Sequence, residues 1–492
     1  MSRGTRIGLI CLWFIALCFG LDLKDWQYIH DTPLLNYAGW LMAEHGHRPY
    51  RDFFETSMPG TFLVHAAIIK LNLDGNTAFI ALGLGLLAAL GWVGSAILAQ
   101  IHKASAPLFA LAYITFMLLF GAASILQREL IITLFISLAC LIAFKSHRTW
   151  PIGVLFSLAA LIKPQLALTA PIIVIASILL HQTRPFPRMT QSLVGFDLPI
   201  CACLVWLYAI DALPQFRFLV TKYLPLHIQQ STFHVFMETP ARLKYLVKAA
   251  IRLGDFWILA GGPLLLAVLQ YLNRSTMTRE HHIKLGAILA MTASFSVIPV
   301  ISGQFWDYHY FPYIFFAILC AVTCLGVARR ALSPFLRVAT GIGALAFPAL
   351  QGVLLYDPEI ISKNNRDMKV VTDMQAALER HLPAGGKVQP IDWTKGAIHA
   401  MLRERVLIAT PFFYDYHFHH HFSGEITTQL RAEFLTALNT SRPELLLEVP
   451  TRPRMKGFDT SYDWPALDTF ISENYRIVET GEHHVIHLRL DH

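Results

Sequence analysis

A polytopic α-helical membrane protein with a small soluble α/β tail is the fold class that three features of this sequence predict. Of its 492 residues, 54% are hydrophobic and 15% charged, where a soluble chain carries roughly a quarter charged residues. Mean hydropathy is +0.47. Long apolar runs recur up to Leu355, and after Tyr356 the composition turns polar. The division predicted is a transmembrane domain over 1–355 and an extracytoplasmic (periplasmic) α/β domain over 356–492. The formal charge of +7 sits mostly in short loops between apolar runs. That is orientation information rather than a nucleic-acid footprint. All seven cysteines lie in apolar segments, so no disulfide framework is implied.

The first predicted span is Ile7–Gly20. Arg3 and Arg6 precede it as in a signal peptide, but Leu21-Asp22-Leu23-Lys24 follows in place of small cleavage-site residues, so the span is read as retained. The stretch Asp31–Gly60 comes next. Thr32-Pro33 reads as an N-cap with proline in the first turn. Leu34, Tyr37, Ala38 and Leu41 recur at helical spacing, and Gly46 ends that helix. Ser57 and Pro59 begin a second helix up to Leu71. With about 13 residues it is too short for a bilayer that needs about 20, so it reads as interfacial or re-entrant.

Ten further spans are predicted: Thr77–Gln100, Pro107–Ala123, Leu130–Phe144, Pro151–Ile162, Leu166–Leu180, Leu193–Ile210, Phe256–Leu272, Ile283–Ile301, Tyr310–Val327 and Val338–Leu355. The total is about eleven. A polar and aromatic loop, Asp211–Gly254, separates the seventh from the eighth. One alternate set of loops holds Arg3, Arg6, Lys103, Lys145, Arg148, Arg184, Arg188, Arg274, Arg279, Lys284, Arg329, Arg330 and Arg337, with Glu280 the single acid among them. The positive-inside rule makes that set, and the N-terminus, cytoplasmic. The Asp31 loop, the Asp211–Gly254 loop and the tail then face outward. In the tail, a helix through Met368, Val371, Met374, Ala377 and Leu378 stops at Pro383-Ala384-Gly385-Gly386. Strands Lys387–Ile391, Val406–Ala409 and Glu444–Val449, helices Thr427–Leu438 and Trp464–Tyr475, and a hairpin near Gly481 complete it.

Polar residues at membrane depth cluster on the outer side. Arg128 and Glu129 stand between the third and fourth spans, Lys163 ends the fifth, and Asp307, Tyr308, His309 and Tyr310 open the tenth. Ionisable groups so placed are expensive and functional by default. With Asp31 and Asp52 they suit a substrate that has an anionic head and a lipid tail. Cations would hold a phosphate, and a carboxylate would take a hydroxyl proton. Asp31 has a purely structural rival reading, as the cap of its helix. Asp52 and Glu55 have one as solvated loop residues. The run His417, His419, His420, His421 looks like a metal tract, but its spacing on a loop fits a membrane- or acceptor-facing rim better.

The residues Asp31, Tyr37, Gly46, Pro49, Tyr50, Arg51, Asp52 and Pro59 form a pattern that resembles the GT-C superfamily of membrane glycosyltransferases. The resemblance is to its family 39-like bacterial members, relatives of protein O-mannosyltransferases and of the lipid A aminoarabinose transferase. Arg128-Glu129, Lys163-Pro164, His309-Tyr310-Phe311-Pro312 and the tail segment Asn474-Tyr475-Arg476-Ile477-Val478 extend it. The resemblance implies an inner-membrane transferase that moves a sugar from a polyprenyl-phosphate donor to a hydroxyl of a lipid, glycan or protein acceptor, inverting the anomeric carbon. Asp31 is its implied general base. Many members have Glu after the Asp and an Arg early in the second span. Here Thr32 and Thr77-Ala78-Phe79-Ile80 stand instead, so phosphate binding would fall to Arg128, Lys163 or His309. Asp52, Glu129 and Tyr310 complete the expected substrate-binding set. No cofactor or metal ligand set is indicated, although a divalent ion is compatible. The alternative reading, a transporter or flippase of a lipid-linked sugar, draws on the number of spans. No inverted repeat or paired broken helix accompanies it.

Overall fold

In this computed structural model the structure describes residues 26–28, 31–327, 333–355, 357, 359–393, 395–450 and 455–490. The chain forms two compact units. The first contains Thr77–Cys203 and Tyr245–Pro358, and the second Gln27–Asn76, Leu204–Lys244 and Glu359–His492.

Among the described residues, six helices are long and apolar enough to cross a membrane: Asn76–Ala99, Pro164–His181, Pro185–Ala209, Arg279–Ser302, Asp307–Val327 and Pro334–Leu355. A seventh arises if Thr239–Asp255 and Trp257–Leu272, bent by 81°, count as one span. The expected Ile7–Gly20 span lies outside the described residues. Helix Arg128–Lys145 is 18 residues long but carries three charges, Arg128, Glu129 and Lys145, and two other expected spans are short helices. Ala106–Leu118 has 13 residues and Trp150–Ala160 has 11. At 1.5 Å per residue the latter covers only about 17 Å. Gly121, with φ 64°, turns the chain soon after the first of these, and Lys163-Pro164 follows the second, where a proline cannot continue the hydrogen-bond ladder.

The helix Asp307–Val327 organises the first unit. It is buried along 94% of its length, against 22% for Pro185–Ala209. From Phe311 to Val327 its sequence FPYIFFAILCAVTCLGV is apolar all round, which is the pattern of a helix surrounded by others. It packs against Ala106–Leu118, Arg128–Lys145, Gly261–Leu272, Arg279–Val297 and Pro334–Leu355.

In the second unit, Thr32–His45 packs on Pro59–Lys70. Gly46 closes the first helix in the left-handed conformation, as its position predicts. Thr32 lies inside the first turn rather than at the cap. Asp31 holds the cap position in an αR conformation and makes no side-chain capping bond. The second helix likewise starts at Pro59 after an uncapped Met58, not at Ser57. The two helices approach closely at Gly39, where a Cβ would lie 2.6 Å from the His65 backbone carbon. His65 Nδ1 meets Asn36 Oδ1 at 2.7 Å in the same buried contact.

Four strands of the tail form one sheet: β1 (Val388–Ile391), β2 (Leu445–Glu448), β3 (Tyr475–Thr480) and β4 (Val485–Arg489). They lie in the order β1-β2-β4-β3. β1 and β2 are parallel, and the other neighbours antiparallel. Helices Ile360–His381, Ala397–Glu404, Glu425–Ser441 and Pro465–Asn474 accompany them. The expected strand Val406–Ala409 is a single bridge, Val388↔Ile408, because this segment turns away to meet the first loop of its own unit.

That meeting fixes the second unit. Tyr37, fully buried, donates its hydroxyl to the Val406 carbonyl at 2.7 Å. Phe53 stacks on Phe413 at 5.2 Å. The Phe54 N–H donates to Pro411 at 2.7 Å. Buried Glu55 accepts from Tyr414 Oη at 3.0 Å and from the Ser57 N–H at 2.6 Å. The histidine run is core, not rim: His417 and His420 are fully buried. Tyr223 Oη lies 2.5 Å from His417 Nδ1 and 3.2 Å from His420 Nε2. Burial pushes the pKa of both imidazoles well below the usual value. It also lowers His227 and His234 to about 4 and His399 to about 3.

Two predictions follow from this packing. Gly39→Ala forces apart the helices Thr32–His45 and Pro59–Lys70, and is expected to cost about 1–3 kcal/mol; an unchanged Tm of the full chain in detergent would contradict the contact. The buried histidines bind no proton when folded but bind one near pH 6.5 when unfolded. The unfolded state therefore holds more protons between about pH 6.5 and 4, so stability falls as pH drops through that window. Thermal melts of His227→Gln across the window are expected to show a shallower fall than the parent.

Candidate functional site

Three segments far apart in sequence meet inside the first unit. Glu129 lies in the first turn of helix Arg128–Lys145 and has no exposed surface. Lys163, in the extended turn just before Pro164, donates from Nζ to Glu129 Oε1 at 2.5 Å. His309, in the turn Asp307–Tyr310 that opens the central helix, places Nε2 3.9 Å from the same oxygen. Its Nδ1 lies 2.9 Å from the Gln304 carbonyl, which puts the ring proton on Nδ1. The charge of Arg128 reaches both Glu129 and His309. Lys163 Nζ also stands 5.9 Å from the centre of the Tyr308 ring. Glu129 Oε2 has no hydrogen-bond partner among the described residues.

Tyr310 follows His309 but faces elsewhere. Its buried ring lies 5.5 Å from Phe256 and against Gly254, where a Cβ would meet it at 2.3 Å. Gly254 has φ 58°, so both backbone conformation and space require glycine there. Four of the sequence-predicted residues, Arg128, Glu129, Lys163 and His309, are therefore brought together, with Tyr310 alongside. Gln304 and Tyr308 join them. No motif marks Gln304, five positions before His309, whereas Tyr308 is among the residues that open the tenth predicted span.

Asp31 and Asp52 belong to the second unit. Asp31 is half-buried at the head of helix Thr32–His45, with its carbonyl accepting from Leu35 N–H at 3.1 Å. Its side chain is not spent on capping. Asp52 is clamped. Arg48 donates to it from Nε at 2.9 Å, from Nη2 at 3.0 Å and from its backbone N–H at 2.8 Å. Burial works against the Asp52 charge, but these bonds outweigh it and hold the carboxyl below its usual value. Asp52 and Arg48 thus close the turn that carries Tyr50, whose φ is 69°. Arg51 pairs with Asp211, joining the first loop to the segment Leu204–Lys244 of the same unit. Among the described residues no three His, Cys, Asp or Glu side chains converge as metal ligands.

No protein-family model and no curated protein matches the chain in sequence. Solved structures do match in fold. ArnT from Cupriavidus metallidurans bound to undecaprenyl phosphate aligns with a TM-score of 0.55 at 12% identity, over 100% of this chain and 99% of that one. The same protein in the apo state aligns with a TM-score of 0.56 at 12% identity, over 99% and 98%. The chain has the fold of ArnT. At this identity the likeness is one of architecture, and it runs from end to end.

A buried carboxylate beside a lysine is a coupled unit. Removing one partner leaves the other charge uncompensated, at about 3–5 kcal/mol. Glu129→Gln and Lys163→Met are each expected to lower the Tm, and the double variant to lose less than the sum of the two. Strict additivity in that cycle would show that the two side chains do not act together.

Proposed function

We propose that this chain is an integral-membrane glycosyltransferase that transfers a sugar from a polyprenyl-phosphate donor to an acceptor hydroxyl at the outer face of the cytoplasmic membrane. The observation that carries this reading is the end-to-end fold match to ArnT, a lipid A aminoarabinose transferase solved with undecaprenyl phosphate bound. The acceptor is a lipid, glycan or protein that offers a hydroxyl group. The donor's lipid tail lies in the bilayer.

In this reading Asp31 is the general base. Its carboxylate takes the proton as the acceptor oxygen attacks the anomeric carbon. The bond from that carbon to the phosphate oxygen breaks, and polyprenyl phosphate leaves with the electron pair. Attack from the face opposite the leaving group inverts the anomeric centre. The place of Asp31 at the head of helix Thr32–His45, where the backbone dipole favours an ionised carboxylate, supports this role. Lys163 and Arg128 bring positive charge to Glu129. Positive charge there suits a leaving phosphate, whose developing charge is the main electrostatic demand of the reaction. Glu129 then keeps the Lys163 ammonium fixed, and Gln304 sets the His309 tautomer. Asp52 acts by holding the first-loop turn rather than by touching substrate. Tyr310 lines the same end of the central helix.

The topology proposed has the N-terminus cytoplasmic and the tail extracytoplasmic, with 1–355 as the membrane domain and 356–492 as a soluble α/β domain. The positive-inside pattern supports it. So does the packing of residues 27–76, 204–244 and 359–492 into one compact unit, since segments that pack together outside the bilayer share one side of it.

The test is transfer from a polyprenyl-phosphate sugar in reconstituted membranes. Asp31→Asn is expected to lower kcat by about 10²–10⁴-fold, the usual worth of a positioned base, while donor binding persists. Turnover like that of the parent would refute the base assignment. Donor sugar crossing the bilayer without covalent attachment to an acceptor would favour a flippase instead.

A further inference from the structure

The tail holds a cavity of about 400 Å³, within the roughly 300–1,000 Å³ typical of small-molecule sites. Ile391 and the run Glu448–Pro450 line it. These are the carboxyl ends of the parallel strands β1 and β2, where open α/β sheets present their ligand crevices. The helix Pro465–Asn474 supplies another wall through Leu467, Ile471 and Ser472.

Two imidazole–carboxylate pairs face this space. His487 Nε2 lies 2.9 Å from Glu448 Oε2. His419 Nε2 lies 3.7 Å from Asp415 Oδ2, and its Nδ1 is 3.1 Å from the Ser461 carbonyl. Aromatic rings complete the lining. Trp464 lies 5.1 Å from Phe418, and Tyr462 stacks on His419 at 4.9 Å. Tyr475 directs its hydroxyl away, to the Pro443 carbonyl at 2.9 Å, and leaves its ring to the cavity.

This combination selects a ligand class. Carboxylates accept hydrogen bonds from hydroxyls, imidazoles donate or accept them, and flat rings pack against the apolar C–H face of a pyranose. Glu448, Asp415 and Asp468 at one cavity disfavour an anion. A nucleotide or other phosphate would need a cradle of N–H donors or cations, and among the described residues the lining contains neither lysine nor arginine. A purely structural void would be apolar and dry, whereas this one carries five carboxylate or imidazole side chains, Asp415, His419, Glu448, Asp468 and His487.

We propose that this cavity is a saccharide-binding site for a sugar unit without acidic groups, and that it receives the sugar portion of the acceptor. The second half of that statement rests on the glycosyltransferase reading; the first does not. Glu448 and Asp415 take hydroxyl hydrogen bonds, His487 and His419 orient those carboxylates, and Trp464 and Tyr462 form the stacking surface.

The test uses the full chain in detergent, with the methyl glycosides of glucose, N-acetylglucosamine, arabinose and glucuronic acid as probes. Binding is read by saturation-transfer NMR and by titration. At least one neutral glycoside is expected to bind saturably, and the glucuronide at least about tenfold more weakly. Glu448→Gln should weaken binding about tenfold, the worth of a hydrogen bond to a charged group. Ser472→Trp, a change on the exposed edge of the cavity-lining helix, should block the space and abolish binding with the Tm retained. The proposal is overturned if no neutral glycoside binds saturably, or if both variants fold and bind like the parent. In the transfer assay the same variants are expected to raise the acceptor KM and leave kcat unchanged. Parent-like KM values in both would remove the acceptor assignment. Saccharide binding with no transfer by the parent chain would instead sink the glycosyltransferase reading and leave the cavity assignment standing.

Discussion

A carboxylate with no exposed surface, set among apolar helices, has to be paid for, and Lys163 is what offsets Glu129. An unpaired charge at that depth costs several kcal/mol even after relaxation. The pairing therefore pins the start of helix Arg128–Lys145 to the turn before Pro164. His309 brings the head of the central helix to the same oxygen. The fully apolar central helix supplies the packing, but packing alone leaves rotation and depth weakly determined, since one aliphatic contact resembles another. The charged contact is directional and sets the register of these three segments.

The second unit solves a different problem. Its first loop carries a dense motif, and most of that motif is consumed by structure. Tyr37, Phe53, Phe54 and Glu55 bind the segment 406–414. Asp52 is held by Arg48 and Arg51 by Asp211. Asp31 sits at the cap position of its helix and makes no side-chain capping bond. Asp52 is engaged three times by a single arginine, and Asp31 heads a helix at the end where the backbone dipole is positive.

The histidine run is a lesson in the same direction. Four histidines within five positions suggest metal or surface. Their neighbours Tyr414, Tyr416 and Phe418 alternate with them, and the whole stretch turns inward against Tyr223, Phe54 and Phe236. Aromatic spacing outweighed imidazole polarity because each ring could be matched by a hydroxyl or a stacked face. The pocket in the tail was equally invisible from sequence, since Asp415, Glu448, Trp464 and His487 are separated by long intervals and belong to no motif.

From sequence alone came the membrane class, the helices Thr32–His45 and Pro59–Lys70, the sites of Arg128, Glu129, Lys163 and His309 at span ends, and most elements of the tail. These are legible because hydropathy, proline and glycine act locally. Span lengths were less so: Trp150–Ala160 and Ala106–Leu118 look like spans in composition but stop early at turns. Only the tertiary structure decided that Lys163 and His309 share one oxygen of Glu129, that Asp52 belongs to Arg48, and that residues 204–244 join the first loop and the tail in one unit. Such pairings depend on which distant segment offers a matching charge or face once the chain is packed, and no local pattern encodes that choice.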